Sequence, residues 1–186
     1  MEKPRLIVGI SGASGFIYGV RLLEVLRSIS VETHLVVSKA AQLTRTAETD
    51  LSASDLKSLA DYYHPCGDLD ACISSGSFKT LGMIVAPCSM KTLAEIAHGI
   101  SSNLLTRAAD VTLKDHRRLV LMVRESPLHL GQLQNMVSVT QQGAIVCPVM
   151  PAFYNRPQTI DDIINHSVGR AIDLFNLESG VVKRWT

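Results

Sequence analysis

The feature that most constrains this chain is its alternation of short apolar runs with segments of helical period. Leu6 to Ile10 is an apolar run bounded by Pro4 and a Gly/Ser cluster, the mark of a buried strand. Phe16 to Arg27 follows, with Phe16, Val20, Leu23 and Leu26 at helical spacing. Further strands are expected at Thr33 to Val37, Met83 to Ala86, Leu119 to Val123 and Ala144 to Cys147, the second of these halted by Pro87. Helices are expected at Lys39 to Glu48, Ser54 to Tyr62, Ser89 to His98, Asn103 to Leu113 and Leu130 to Gln142. Residues 64 to 80 read as irregular, and Pro148, Pro151 and Pro157 mark a long loop. Thr159-Ile160-Asp161-Asp162 opens a last helix as a capping box, with Asp in the usual Glu place. Alternation of this kind implies βαβ units and a parallel sheet. The expected fold class is α/β, a doubly wound three-layer sandwich of Rossmann or flavodoxin type.

The chain has 186 residues and no internal linker, so a single domain over residues 1–186 is expected. A chain of this size buries roughly 70% of its unfolded surface and needs no staples. With 18 basic and 17 acidic residues and no basic block, it offers no electrostatic footing for nucleic acid or a membrane surface. The apolar stretch after Pro4 breaks at Gly9, too short for a signal-peptide core or a membrane span, so the expected location is cytoplasmic. The cysteines Cys66, Cys72, Cys88 and Cys147 form no C-x-x-C pair and are expected to be reduced. The six histidines are scattered without metal-ligand spacing, so no metal site is expected.

Five stretches carry chemistry. Gly12-Ala13-Ser14-Gly15 joins the first strand to the first helix, where parallel sheets place ligands. Its glycines and helix-start amides suit a phosphate, although the spacing is not G-x-G-x-x-G, and a tight packing turn would look the same. Ser89-Met90-Lys91-Thr92 repeats the arrangement after a second strand, either as a ligand loop or as a plain helix cap. Arg107, Asp110 and Lys114 share a helix face, the pattern of a solvated ion-pair surface. Arg124-Glu125 follows an apolar strand directly and faces either solvent or a ligand crevice, where an Arg fork suits phosphate and a Glu can move a proton. Phe153 and Tyr154 lie in the proline-bounded loop, with Arg170 on the helix beyond it. Cys88 has no evident base nearby and reads as a small buried residue rather than a nucleophile.

Taken in order, these stretches resemble one family. The set is Gly-Ala-Ser-Gly at 12–15, Ser-Lys-Ala-Ala at 38–41, Glu-Thr-Asp at 48–50, Pro-Cys-Ser at 87–89, Arg-Ala-Ala-Asp-Val at 107–111, Arg-Glu at 124–125 and Pro-Ala-Phe-Tyr at 151–154. It is similar to the UbiX/Pad flavin prenyltransferases from about Leu6 to Trp185. The resemblance implies a metal-independent transferase that joins a dimethylallyl group from dimethylallyl monophosphate to reduced flavin mononucleotide (FMN). The prenylated flavin would then serve a UbiD-type decarboxylase, and the enzyme would assemble as a homododecamer with sites where subunits meet.

By the same resemblance, Gly12, Ala13, Ser14, Ser38, Ser89, Met90, Lys91, Thr92 and Arg124 would hold the flavin. Lys114, Arg124, Tyr154 and Arg170 would hold the donor phosphate, some of them from a neighbouring subunit. Ser14, Glu48, Lys114 and Glu125 would act in catalysis, and Trp185 would lie close to the site. Two other readings share the flavin loops. A homo-oligomeric flavin-dependent cysteine decarboxylase usually shows Pro-Ala-Ser-Ala-Asn-Thr where this chain has Pro87 to Thr92, and Pro-x-Met-Asn where it has Pro148 to Pro151. A non-catalytic FMN-binding protein would need no Lys114, Glu125 or Tyr154.

Overall fold

A computed structural model describes residues 3–182 and 184 of the chain. Its strands are β1 (Arg5–Ile10), β2 (Glu32–Val37), β3 (Tyr62–His64), β4 (Gly82–Cys88), β5 (Arg118–Val123) and β6 (Ile145–Val146). Its helices are α1 (Phe16–Ser28), α2 (Lys39–Glu48), α3 (Ala53–Ser58), α4 (Met90–Ala97), α5 (Leu104–Lys114), α6 (Leu130–Gln141) and α7 (Ile160–Asp173). All strand pairs are parallel, in the order β3-β2-β1-β4-β5-β6. This is the doubly wound Rossmann order, with its switch point between β1 and β4.

Side chains in a strand alternate between faces, and the two halves of the core follow from that. Leu6, Val8 and Ile10 of β1 pack with Leu23, Leu26, Val168 and Ile172 of α1 and α7. Ile7 points the other way, into a second cluster with Leu93, Leu105 and Ala108 of α4 and α5. Both faces of β1 and β4 are covered, which explains their unbroken apolar runs.

The sequence expectations hold for the fold class and for the main alternation, and fail at three local points. The helix expected over Ser54 to Tyr62 ends at Ser58, and the chain then adds β3 at the sheet edge. β3 has only three residues and pairs with β2 alone, too short for an alternating pattern to register. Pro87 does not halt β4, which continues to Cys88. The β4–β5 register shifts between Val85 and Cys88, so the ladder bypasses the residue that lacks an N–H. The last strand spans Ile145–Val146 rather than Ala144 to Cys147, although the Cys147 and Val149 amides still donate to Leu121 and Val123 carbonyls. The Thr159 capping box forms as expected, Thr159 Oγ1 accepting from the Asp162 amide and the Asp162 carboxylate from the Thr159 amide.

Candidate active site

The carboxyl ends of β2 and β4 each deliver a serine to the start of a helix. Ser38 caps α2 by accepting from the Ala41 amide at 3.1 Å, and Ser89 caps α4 by accepting from the Thr92 amide at 3.3 Å. Asn103 caps α5, its Oδ1 accepting from the Leu105 and Thr106 amides. These helix starts converge on one cleft of about 440 Å³, lined among others by Gly12, Ser38, Ser89, Lys91 and Thr92. Helix N-termini carry partial positive charge, so the cleft favours an anionic ligand group.

Ser11 holds the two sides of this cleft in register. It is fully buried, donates from Oγ to the Pro87 carbonyl at 3.0 Å and accepts from the Ser89 amide at 2.8 Å. The loop after β1 is thereby tied to the loop after β4 across the switch point. Sequence reasoning passed over Ser11 because a serine between the end of a strand and a glycine gives no sign of a partner so far along the chain. Gly12 is needed for close approach, since a Cβ there would lie 2.4 Å from the Ala40 Cβ. This cradle has room for a ligand at the backbone and none for a side chain.

The start of α1 is arranged differently from the others. Gly15 adopts a left-handed conformation, φ 98°, and its side offers no cap. The capping role falls to Glu48, at the end of α2. Its Oε2 accepts from the Gly15 and Phe16 amides, each at 2.9 Å, and the Ser14 hydroxyl also donates to it. Partial burial pushes the Glu48 carboxyl upward, but the Ser14 hydroxyl, the two amides and the charge of Arg124 outweigh it and leave the pKa below its ordinary value. Two of the amides that the sequence suggested for a phosphate are therefore engaged by a protein carboxylate. Of the 12–15 loop, Gly12 lines the cleft itself.

Other expected site residues fall in three places. Arg124 and Glu125 are exposed at the end of β5, the Arg124 amide donating to the Cys88 carbonyl at 3.1 Å. Tyr154 lies against α7, its hydroxyl 3.2 Å from His166 Nε2, and Arg170 pairs with Asp173 at 3.0 Å one helical turn beyond. Lys114 is exposed at the end of α5 and pairs with Asp115 at 3.5 Å. α5 starts at the cleft with Asn103 and is 11 residues long, so Lys114 lies about 16 Å away along the helix. Neither Lys114, Tyr154 nor Arg170 lines the cleft. Of the Arg107, Asp110 and Lys114 face, Arg107 and Asp110 form the ion pair, at 2.8 Å. Ala13 and Met90 flank cleft residues in the chain, and Trp185 lies outside the described residues. Cleft residues that no sequence motif marked include Cys66, Gly67, Glu95, Ser102 and Leu105, from the loop after β3, from α4 and from the start of α5. Cys88 is fully buried, and burial pushes its thiol up to about 12, which excludes it as a nucleophile.

Residues 1–171 match the model of the Flavoprotein family. The flavin prenyltransferase UbiX of Neisseria meningitidis serogroup B is 59% identical over 181 residues, covering 97% of this chain and 96% of that one. The chain belongs to the UbiX flavin prenyltransferase family. Among solved structures, AnUbiX (PadA1) in complex with FMN and dimethylallyl pyrophosphate superposes with a TM-score of 0.98 at 49% identity, covering 100% of this chain and 98% of that one. The dodecameric FMN-dependent UbiX-like decarboxylase of Escherichia coli O157:H7 superposes with a TM-score of 0.95 at 52% identity, covering 98% of this chain and 99% of that one. Among the described residues, no helix is long and apolar enough to cross a membrane.

Proposed function

We propose that this chain transfers a dimethylallyl group from dimethylallyl monophosphate to reduced FMN, without a metal, and that the prenylated flavin serves a UbiD-type decarboxylase. The observation that carries this reading is the joining of Ser14 and Glu48, under the charge of Arg124, beside a cleft built from helix starts. The residues fit FMN. Ser38, Ser89 and Thr92 offer hydroxyls where α2 and α4 begin, Lys91 adds charge, and Gly12 leaves room for the flavin against the backbone. Ala13 and Met90 would supply neighbouring backbone. Bound in its reduced form, FMN supplies the electron-rich ring to which the allylic carbon becomes attached.

The protein's part is to position, to hold charge and to move protons. Ser14 gives its proton to the Glu48 hydrogen bond, which turns the lone pairs of its oxygen toward any N–H donor on the ligand. An anionic Glu48 can accept a proton relayed through that hydroxyl. Lys114, Arg124, Tyr154 and Arg170 would receive the charge of the departing phosphate, the task a metal performs for diphosphate donors. Glu125, next to Arg124 at the end of β5, would pass that phosphate a proton. Lys114 stands too far along α5 to serve the cleft of its own chain, which favours sites shared between subunits. The proposed assembly is a homododecamer, as the relative from Escherichia coli O157:H7 is dodecameric, and the proposed location is the cytoplasm.

The test is functional transfer. The protein is incubated anaerobically with reduced FMN and dimethylallyl monophosphate, and the small-molecule filtrate is added to an apo UbiD-type decarboxylase. Decarboxylation of an unsaturated aromatic acid should appear. A filtrate that leaves the decarboxylase inactive, when authentic prenylated FMN activates it, would contradict the proposal.

A further inference from the structure

At the sheet edge, away from the residues assigned to flavin, the fold assembles a group that no spacing in the sequence marks. In the β2–β3 pairing His34 stands opposite Tyr62, and His64, two residues on, shares the same face. The His34 ring stacks on Tyr62 at 4.8 Å and lies parallel to the His64 ring at 5.3 Å. His34 Nδ1 and His64 Nε2 face each other at 3.0 Å. Cys72, opening the short 3₁₀ turn Cys72–Ser74, brings its thiol to the same point. One donor atom from each of the three side chains lies within 4.8 Å of the other two.

We propose that His34, His64 and Cys72 form a binding site for a late first-row divalent cation, zinc in the first place. Two imidazoles and a thiolate are the donor set that such ions select over magnesium or calcium. Donors around a tetrahedral zinc stand about 3.3–3.6 Å apart. Without a metal the two histidine nitrogens share a hydrogen bond at 3.0 Å, so seating the ion requires that they part slightly and turn toward it, with the Cys72 sulfur within 4.8 Å of both. The outer arrangement fits as well. Glu32 Oε1 accepts from His34 Nε2 at 3.1 Å, which fixes the tautomer with an unprotonated Nδ1, the atom that accepts from His64 Nε2 and would turn to the metal. The same Glu32 oxygen accepts from Arg5 Nε at 2.8 Å, so the carboxylate stands between that positive charge and the His34 ring.

Burial lowers the pKa of both histidines and raises that of the Cys72 thiol, so metal binding has to displace the Cys72 proton. On binding, the Cys72 thiol gives its proton to solvent and the sulfur bonds the metal; no electron is transferred. Phe78 meets His34 edge-on at 4.9 Å and closes the inner side. A metal here would clasp β2, β3 and the turn at Cys72 together, just after a loop whose Cys66 and Gly67 line the cleft. This site does not depend on the prenyl-transfer reading.

Cobalt(II) is the probe. Untagged full-length protein, reduced and metal-free, is titrated with cobalt chloride and followed by absorption. One cobalt per chain should bind, with a thiolate-to-cobalt charge-transfer band in the near ultraviolet that zinc abolishes. Cys72→Ser should lose the band and bind cobalt at least tenfold more weakly, and His64→Asn should also weaken binding at least tenfold. Cys147→Ser should keep both signals. Circular dichroism of each variant confirms folding, and zinc should raise the melting temperature of the parent protein but not of Cys72→Ser. Failure to bind one equivalent, binding without the band, or a band that survives in Cys72→Ser would each overturn the site.

Discussion

Ser14 donates a hydrogen bond to Glu48, joining the loop after β1 to the last residue of α2. The same carboxylate takes the Gly15 and Phe16 amides, so one acidic group both caps α1 and orients the hydroxyl beside the flavin cleft. Replacing it should therefore separate chemistry from binding. Glu48→Gln is expected to keep FMN affinity within a few-fold and to slow prenyl transfer by about 10²-fold or more, as for loss of a positioned proton carrier. Equal rates for the two proteins in single-turnover assays would remove Glu48 from the mechanism.

The pH dependence of stability follows from the same contacts. The folded pKa of Glu48 lies below the ordinary value of 4.5. A depressed acid stabilises the fold fully above its unfolded pKa and loses that contribution as pH falls through the folded value. The side chain is exposed, so the helix-end interaction is worth only about 0.5–1 kcal/mol. Melting temperatures of Glu48→Gln and parent protein should differ at neutral pH and converge toward pH 3. A constant gap across that range would contradict the assignment.

Ser11 is the fixed point between the two cleft loops. Ser11→Ala leaves the Ser89 amide without its partner and should cost about 1–3 kcal/mol in urea unfolding. Because Ser89 caps α4 at the cleft, FMN affinity should fall too. A variant with unchanged stability and flavin binding would show that the loops are held by other means.

Gly12→Ala tests the cradle. Its methyl group would meet the Ala40 Cβ at 2.4 Å, and the loop must shift. A stability loss of about 1–3 kcal/mol is expected, with at least tenfold weaker FMN binding by quenching of flavin fluorescence. Parental affinity in Gly12→Ala would place the flavin elsewhere.

Sharing of sites between subunits can be read by complementation. Lys114→Ala and Gly12→Ala proteins should each transfer prenyl groups poorly. Oligomers reassembled from an equal mixture should recover part of the parental rate, because some sites then combine an intact Gly12 with an intact Lys114. No recovery in mixed oligomers, shown to be mixed by native mass spectrometry, would mean that Lys114 serves its own chain or none.

Much of this architecture was legible because its signals are local. Lys39–Glu48 is helical to the residue, since Ser38 is a side-chain cap and Thr49 turns extended. The β1 and β5 runs are apolar on both faces, as buried parallel strands require. What escaped depends on partners distant in the chain. β3 exists only because β2 offers an edge, and Pro87 stays in its strand only because the β5 register slips past it. The motifs marked Ser14 and Glu48 separately, and only the fold makes them one group. Ser89 was legible as a helix cap and Ser38 through the Ser-Lys-Ala-Ala motif, and the fold brings both to one cleft with Thr92, whereas Lys114, Tyr154 and Arg170 do not line it.

The most direct test of prenyl transfer is the mass of the flavin. The protein is mixed anaerobically with reduced FMN and dimethylallyl monophosphate, quenched and analysed by mass spectrometry beside an active flavin prenyltransferase. A flavin heavier by one dimethylallyl-derived unit, formed over many turnovers and absent without donor, is the expected result. Flavin of unchanged mass, in conditions where the control forms the adduct, would contradict the proposed activity.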